Sequence, residues 1–163
     1  MGEYQRLSHL LGPVYDKNSR VLILGTFPSV KSREYGFYYG NPQNRFWKVL
    51  AAVFECDFPQ SIEDKRAFLL KNKIALWDVI ASCEIIGSSD NSIKNVVPCD
   101  INLILESSPI QNIYANGKTA EKLYKKYVEP QTTKKITALP STSPANAAFS
   151  LDKLVSEWSR IRI

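Results

Sequence analysis

Val21-Leu22-Ile23-Leu24 is a short apolar run with no polar alternation, cut off at Gly25 and again at Pro28. Such a run is a buried strand ended by turn residues. A second strand end of the same kind lies far downstream, where Leu139 runs into Pro140-Ser141-Thr142-Ser143-Pro144-Ala145-Asn146. If the two strands are parallel, both loops leave from carboxyl ends and converge on one crevice, the usual ligand position in an open α/β sheet. Between them, Tyr35-Gly36-Phe37-Tyr38-Tyr39-Gly40-Asn41-Pro42-Gln43-Asn44-Arg45-Phe46-Trp47 adds aromatic rings and carboxamides. A slot lined this way suits a flat polar ring, and a nucleobase fits.

The rest of the chain reads as strand–helix alternation. Strands are expected at Arg20–Leu24, Ile74–Ile80, Gln111–Ala115 (ended by Asn116-Gly117) and Lys135–Leu139. A helix starting near Asn44 has Trp47, Leu50, Ala51 and Phe54 on one face. Ser61 and Asp64 form a capping pair for a second helix through Leu70. A third helix carries Ala120, Leu123, Tyr124 and Tyr127 on one face. A last helix, capped by Ser150, buries Leu151, Leu154, Val155 and Trp158. This order predicts a three-layer α/β/α fold with a central four-stranded parallel sheet, in one domain spanning 1–163. Gly87 to Pro98 reads as a polar loop, either facing a ligand or simply solvated.

Composition excludes several classes. No apolar run approaches the ~20 residues that span a bilayer, and no signal-peptide core is seen, so no membrane partner is expected. Cys56, Cys83 and Cys99 are scattered, no CxxC pair exists, and His9 is the only histidine. That leaves no ligand set for a structural zinc or iron–sulfur site; no metal and no cofactor are expected. Three reduced cysteines fit the cytoplasm. The formal charge of +5 permits an anionic partner.

Three motifs in order carry a family resemblance. They are the Gly-x-x-Pro opening at Gly25–Pro28, the Asn-x-Phe-Trp-Lys-Val-Leu helix start at Asn44–Leu50, and the Leu-Pro-Ser-x-Ser loop running into Ser150-Leu151-Asp152-Lys153-Leu154-Val155. From about Val21 to Trp158 the chain resembles the uracil-DNA glycosylase superfamily. Most branches carry a catalytic Asn or Asp at the third residue of the first motif, where this chain has Phe27. That departure, with the Ser-Thr-Ser-Pro-Ala-Asn form of the second motif, resembles the hypoxanthine (deoxyinosine) branch; the mismatch-specific uracil/thymine branch is a relative. The resemblance implies a monomeric, monofunctional DNA glycosylase of base excision repair. It would flip a deaminated base out of damaged DNA and hydrolyse its N-glycosidic bond, hypoxanthine being the favoured base. The alternatives are a uracil-excising enzyme of the mismatch-specific type, or a catalytically idle DNA- or base-binding module.

Base excision needs a water held below the sugar and stabilisation of the departing base, and a carboxamide oxygen can orient that water. The candidates are Asn41 and Asn44, with Asp78 behind them. Asn44 has an alternative role as cap of the helix that follows. Asp78 ends the second strand where the superfamily often places a base-recognising Asn, and could accept from a purine N–H or cap a loop. Tyr39 aligns with the ring that stacks on the extruded base, and Phe27 is expected against the same slot. Ser141, Thr142 and Ser143 fall where related enzymes grip the DNA backbone, unless they only form a turn. Asn146, beside Ala145, occupies the position of the wedge inserted into the base stack. Lys31, Arg33, Arg45 and Lys118 are candidates for phosphate contacts.

Overall fold

Val21 to Gly25 is buried throughout, and its side chains alternate between two separate apolar clusters. Val21 and Ile23 enter one cluster, Leu22 and Leu24 the other, as a strand sandwiched between two helical layers requires. The computed structural model describes residues 2–163. The chain begins with β1 (Gln5–Ser8), β2 (Val21–Gly25), α1 (Val30–Tyr35), α2 (Phe46–Val53) and α3 (Ile62–Lys71). There follow β3 (Ile74–Asp78), β4 (Ile80–Ile85), a 3₁₀ turn (Asp90–Ser92), β5 (Lys94–Pro98) and α4 (Asn102–Ser107). The last third holds β6 (Asn112–Asn116), α5 (Lys118–Tyr127), α6 (Glu129–Thr132), β7 (Thr137–Leu139) and α7 (Leu151–Trp158), closed by a second 3₁₀ turn (Ser159–Ile161).

The main sheet has four parallel strands, as expected, and their order is β3-β2-β6-β7. On one face, Phe46, Trp47 and Leu50 of α2, Leu69 of α3, and Leu154 and Trp158 of α7 pack on Val21, Ile23, Ile74 and Leu76. On the other, Ile104 of α4 and Ala120 and Tyr124 of α5 pack on Leu22, Leu24, Ala75 and Ala115. The Ser61 and Ser150 hydroxyls accept the N–H groups of Asp64 and Lys153, so both capping expectations hold. Two core tryptophans use their single polar atom to hold loops. Trp47 Nε1 donates to Tyr38 O at 3.1 Å, and Trp158 Nε1 to Pro140 O at 2.9 Å.

Three expectations need correction. Ile74–Ile80 is not one strand: Val79 donates to Gly25 O, and the chain then leaves the main sheet for β4. Gly87–Pro98 is not simply a loop, because β5 joins β4 and β1 in a second, antiparallel sheet of order β1-β4-β5. Its sequence, Lys-Asn-Val-Val-Pro, is that of an exposed edge strand, with proline tolerated at its end. Leu151 is 40% exposed at the first turn of α7, where it has no neighbouring layer to enter.

Candidate active site

The carboxyl ends of all four parallel strands deliver residues to one cleft of about 500 Å³. β2 supplies Gly25, β3 Asp78, β6 Asn116, and the loop after β7 supplies Ser141 to Ala145. Phe27, Lys31, Tyr38, Tyr39, Asn41 and Asn44 also line it, together with Asp90 of the 3₁₀ turn.

Tyr39 stacks on Phe46 with centroids 4.0 Å apart and planes 17° from parallel. Phe46 is fully buried in the core, so the ring is backed by a rigid aromatic floor. Tyr39 adopts φ of 54°, a backbone region that costs a bulky residue about 1–3 kcal/mol and clusters at functional sites. Its hydroxyl is buried near the Asn116 side chain and makes no well-formed hydrogen bond among the described residues. Burial first, and then the Asp78 charge, push that hydroxyl's pKa well above the ordinary phenol range.

Asp78 is 4% exposed. A Cβ on Gly25 would lie 2.5 Å from Asp78 Oδ1 and 2.8 Å from the Tyr39 hydroxyl. Glycine is therefore required at 25 so that these two polar groups can converge over the strand end. The other carboxylate oxygen, Oδ2, meets His9 Nε2 at 2.8 Å. The Asp78 charge also raises Tyr38 and Cys99, in each case after burial, and raises Asp90 after partial withdrawal from water. Asp78 is thus the common source of negative potential at the cleft floor.

The two asparagines differ in what their oxygens already do. Asn44 Oδ1 receives the Phe46 N–H at 3.0 Å and the Thr142 hydroxyl at 2.8 Å, filling both lone pairs. Asn41 Oδ1 receives only the Gln43 N–H, at 3.0 Å, and keeps one acceptor position.

Thr142, expected at the DNA backbone, turns inward in the structure. It is fully buried; its hydroxyl donates to Asn44, and its N–H to Asn116 Oδ1 at 3.0 Å. Asn116 Nδ2 returns a bond to the Thr142 hydroxyl oxygen, also at 3.0 Å. Ser141 and Ser143 form local turns: Ser143 N–H donates to Ser141 Oγ, and Ala145 N–H to Ser143 Oγ. Asn146 lines an adjoining hollow beside Lys118, with its Nδ2 on Ser141 O. Arg45 is no free phosphate ligand. Its guanidinium donates to the carbonyls of Phe149, Ser143 and Asn146, clamping the loop after β7. Arg33 lies behind Phe27, 5.7 Å from its ring centroid, and donates to Pro28 O. Lys31 is exposed at the cleft rim.

Sequence reasoning missed His9, Asn116 and Asp90 as contributors. Asn116-Gly117 was visible only as a strand end, and Asp90 sat in a segment read as loop. The His9 contact crosses 69 residues, and no local pattern signals it.

Comparison with known proteins agrees with the geometry. A family model described as the uracil DNA glycosylase superfamily matches residues 13–160. A hypoxanthine DNA glycosylase of Methanosarcina acetivorans is 35% identical over 150 residues, covering 91% of this chain and 93% of that protein. One from Methanosarcina barkeri is 35% identical over 109 residues, covering 65% of this chain and 68% of that protein. A solution NMR structure from Methanosarcina acetivorans, described as a candidate uracil DNA glycosylase, superposes with a TM-score of 0.79 at 29% identity. The match covers 96% of this chain and 99% of that one.

Proposed function

The chain belongs to the uracil DNA glycosylase superfamily, and we propose that it is a monofunctional DNA glycosylase that excises deaminated bases, hypoxanthine foremost. The observation that carries this reading is the buried Asp78 carboxylate at the floor of a cleft walled by the Phe46-backed Tyr39 ring. Deamination converts adenine, whose N1 is a lone-pair acceptor, into hypoxanthine, whose N1 carries a proton. A carboxylate oxygen accepts from that N–H and repels an adenine N1. The same logic admits the N3–H of uracil and rejects cytosine. The names of the Methanosarcina relatives support the purine.

The extruded base lies against the Tyr39 ring, where stacking is worth roughly 1–3 kcal/mol. The bond from the sugar C1′ to the base nitrogen then breaks, and its electron pair leaves with the base. Asn41 Oδ1 accepts a hydrogen bond from a water and aims its oxygen at C1′; the water's surplus proton passes to solvent as the new C–O bond forms. Asn44, with both lone pairs occupied, braces the wall instead. Phe27 contributes an apolar side to the slot. Lys31, Ser141 and Ser143 meet the DNA backbone, and Ala145 with Asn146 faces the gap in the stack. The cleft is built within one chain, which supports action as a monomer, and three unpaired cysteines accord with the cytoplasm.

The test is to incubate the protein, in chelator, with duplexes carrying inosine or uracil and then treat them with alkali. Breaks at inosine exceeding those at uracil are expected. Binding without breaks at either base would make the protein an idle damage-binding module.

A further inference from the structure

His9 lies ahead of the segment that matches the family model, yet it reaches the cleft floor. Its Nε2 sits 2.8 Å from Asp78 Oδ2, and the two side chains are 3% and 6% exposed. Around the ring, Phe27 meets it edge-on at 6.0 Å and Tyr38 at 5.9 Å. The segment carrying it is anchored at several points. His9 N–H donates to Ala81 O, the Tyr38 hydroxyl donates to Gly12 O at 2.8 Å, and Val14 exchanges both backbone bonds with Leu76.

His9 Nδ1 is buried and has no partner among the described residues. This fixes the tautomer on physical grounds. A proton on Nδ1 would be a buried donor with nothing to receive it, which is costlier than an unused lone pair. The proton therefore sits on Nε2 and is donated to Asp78, whose carboxylate is the acceptor. One oxygen is held by His9 while the other, Oδ1, stays over Gly25 in the cleft.

We propose that His9 is the positioning residue that holds Asp78 with Oδ1 turned toward the base, so that Asp78 can tell a lactam N–H from a bare ring nitrogen. The inference rests on the proposed glycosylase reading for its consequence, though not for the pair itself. The other groups facing Asp78 cannot replace His9. Tyr38 and Tyr39 bring neutral hydroxyls from the loop after α1, Cys99 a neutral thiol after β5, and Asp90 a second acid from the 3₁₀ turn. Without His9, the carboxylate loses the donor that fixes Oδ2, and Oδ1 is no longer held over Gly25 in the cleft. A carboxylate that turns away from the base no longer repels a bare adenine N1.

The experiment compares wild type with His9→Gln, His9→Phe, Asp78→Asn and the His9→Phe/Asp78→Asn double variant. The glutamine can place an N–H near the position of Nε2; phenylalanine keeps the ring packing and removes the donor. Single-turnover release of hypoxanthine and adenine from duplexes is followed across pH. His9→Phe should lower the hypoxanthine rate at neutral pH roughly 10- to 100-fold, the scale of a lost hydrogen bond to a charged group. It should also narrow the preference over adenine, because Oδ1 is then no longer held against the ring nitrogen. His9→Gln should stay near wild type, and His9→Phe should add nothing once Asp78 is Asn. Because the chain has one histidine, ¹⁵N NMR of its ring reads the pair independently of any activity. An Nε2–H tautomer that depends on Asp78 supports the inference. An Nδ1–H tautomer, a wild-type profile in His9→Phe, or an equal loss from His9→Phe in both Asp78 backgrounds would overturn it. Failure of the wild type to release any base would defeat the glycosylase reading instead, with the ring spectrum still deciding the pair.

Discussion

The Thr142 hydroxyl donates to Asn44 Oδ1 at 2.8 Å, joining two segments that are 98 residues apart in sequence. Asn116 grips Thr142 through both its carboxamide atoms, so three strand-end or helix-end residues form one latch behind the cleft. Every polar atom Thr142 offers is engaged within the protein or with Arg45, whose N–H donates to its carbonyl. The latch explains why a helix-start motif and a distant Ser-rich loop belong together. They are two halves of one wall.

Asn41→Ala and Asn44→Ala should therefore fail differently. Removing the carboxamide with a vacant acceptor position should cut single-turnover excision by roughly 10²-fold or more, with little change in DNA affinity or melting temperature. Asn44→Ala and Thr142→Val should each lower stability by about 1–3 kcal/mol, because buried groups lose partners. Thermal melts run beside excision assays decide the matter. Loss of turnover in a fully stable Asn44→Ala protein would move the water to Asn44.

Gly25→Ala tests the convergence over the strand end. The added methyl would lie within 2.8 Å of both Asp78 Oδ1 and the Tyr39 hydroxyl. Neither side chain is free to swing away, since His9 holds one and Phe46 backs the other. Excision should fall by at least roughly 10²-fold, as for a displaced catalytic site, while duplex binding through the rim persists. An active Gly25→Ala enzyme would show that Asp78 and Tyr39 can separate without consequence.

The main sheet was legible because Val21–Leu24 and Ile74–Leu76 are apolar without interruption, as a strand serving two cores must be. The second sheet was not. Residues Gln5–Ser8 and Lys94–Pro98 are half-exposed edge strands with no apolar run, and one residue, Val79, separates β3 from β4, so the two read as one. For the site, residue type and loop position pointed to Asn41, Tyr39 and Asp78, all of which line the cleft. The sequence could not say that Thr142 turns inward or that Arg45 binds three carbonyls, because hydrogen bonds across about a hundred residues leave no periodic trace.

Salt dependence separates the clamp from the rim. Lys31 is exposed beside the cleft, so Lys31→Ala should reduce the slope of log affinity against log salt by about one unit. Arg45→Ala should leave that slope unchanged, since its guanidinium faces carbonyls rather than phosphate. It should instead destabilise the protein by about 2–4 kcal/mol and loosen the loop after β7. Arg45→Lys should rescue little, because an ammonium lacks the planar fork that spans three acceptors. A flattened slope in Arg45→Ala, with stability intact, would return this residue to the DNA.

The buried, poorly partnered hydroxyl of Tyr39 sets stability against function. In the free protein it carries a desolvation cost that the neighbouring Asn116 side chain offsets only in part. Tyr39→Phe keeps the ring on Phe46 and should raise stability by about 1 kcal/mol. If the extruded base supplies the missing partner, the same variant should lose roughly 10-fold in inosine excision, the value of one neutral hydrogen bond. Tyr39→Ala removes the stacking face as well, so excision and the preference for inosine-containing over undamaged duplex should fall together. Calorimetric melts of the free protein, paired with single-turnover rates, distinguish the outcomes. A Tyr39→Phe enzyme that is more stable and fully active would make the hydroxyl a bystander and leave recognition to the ring and Asp78.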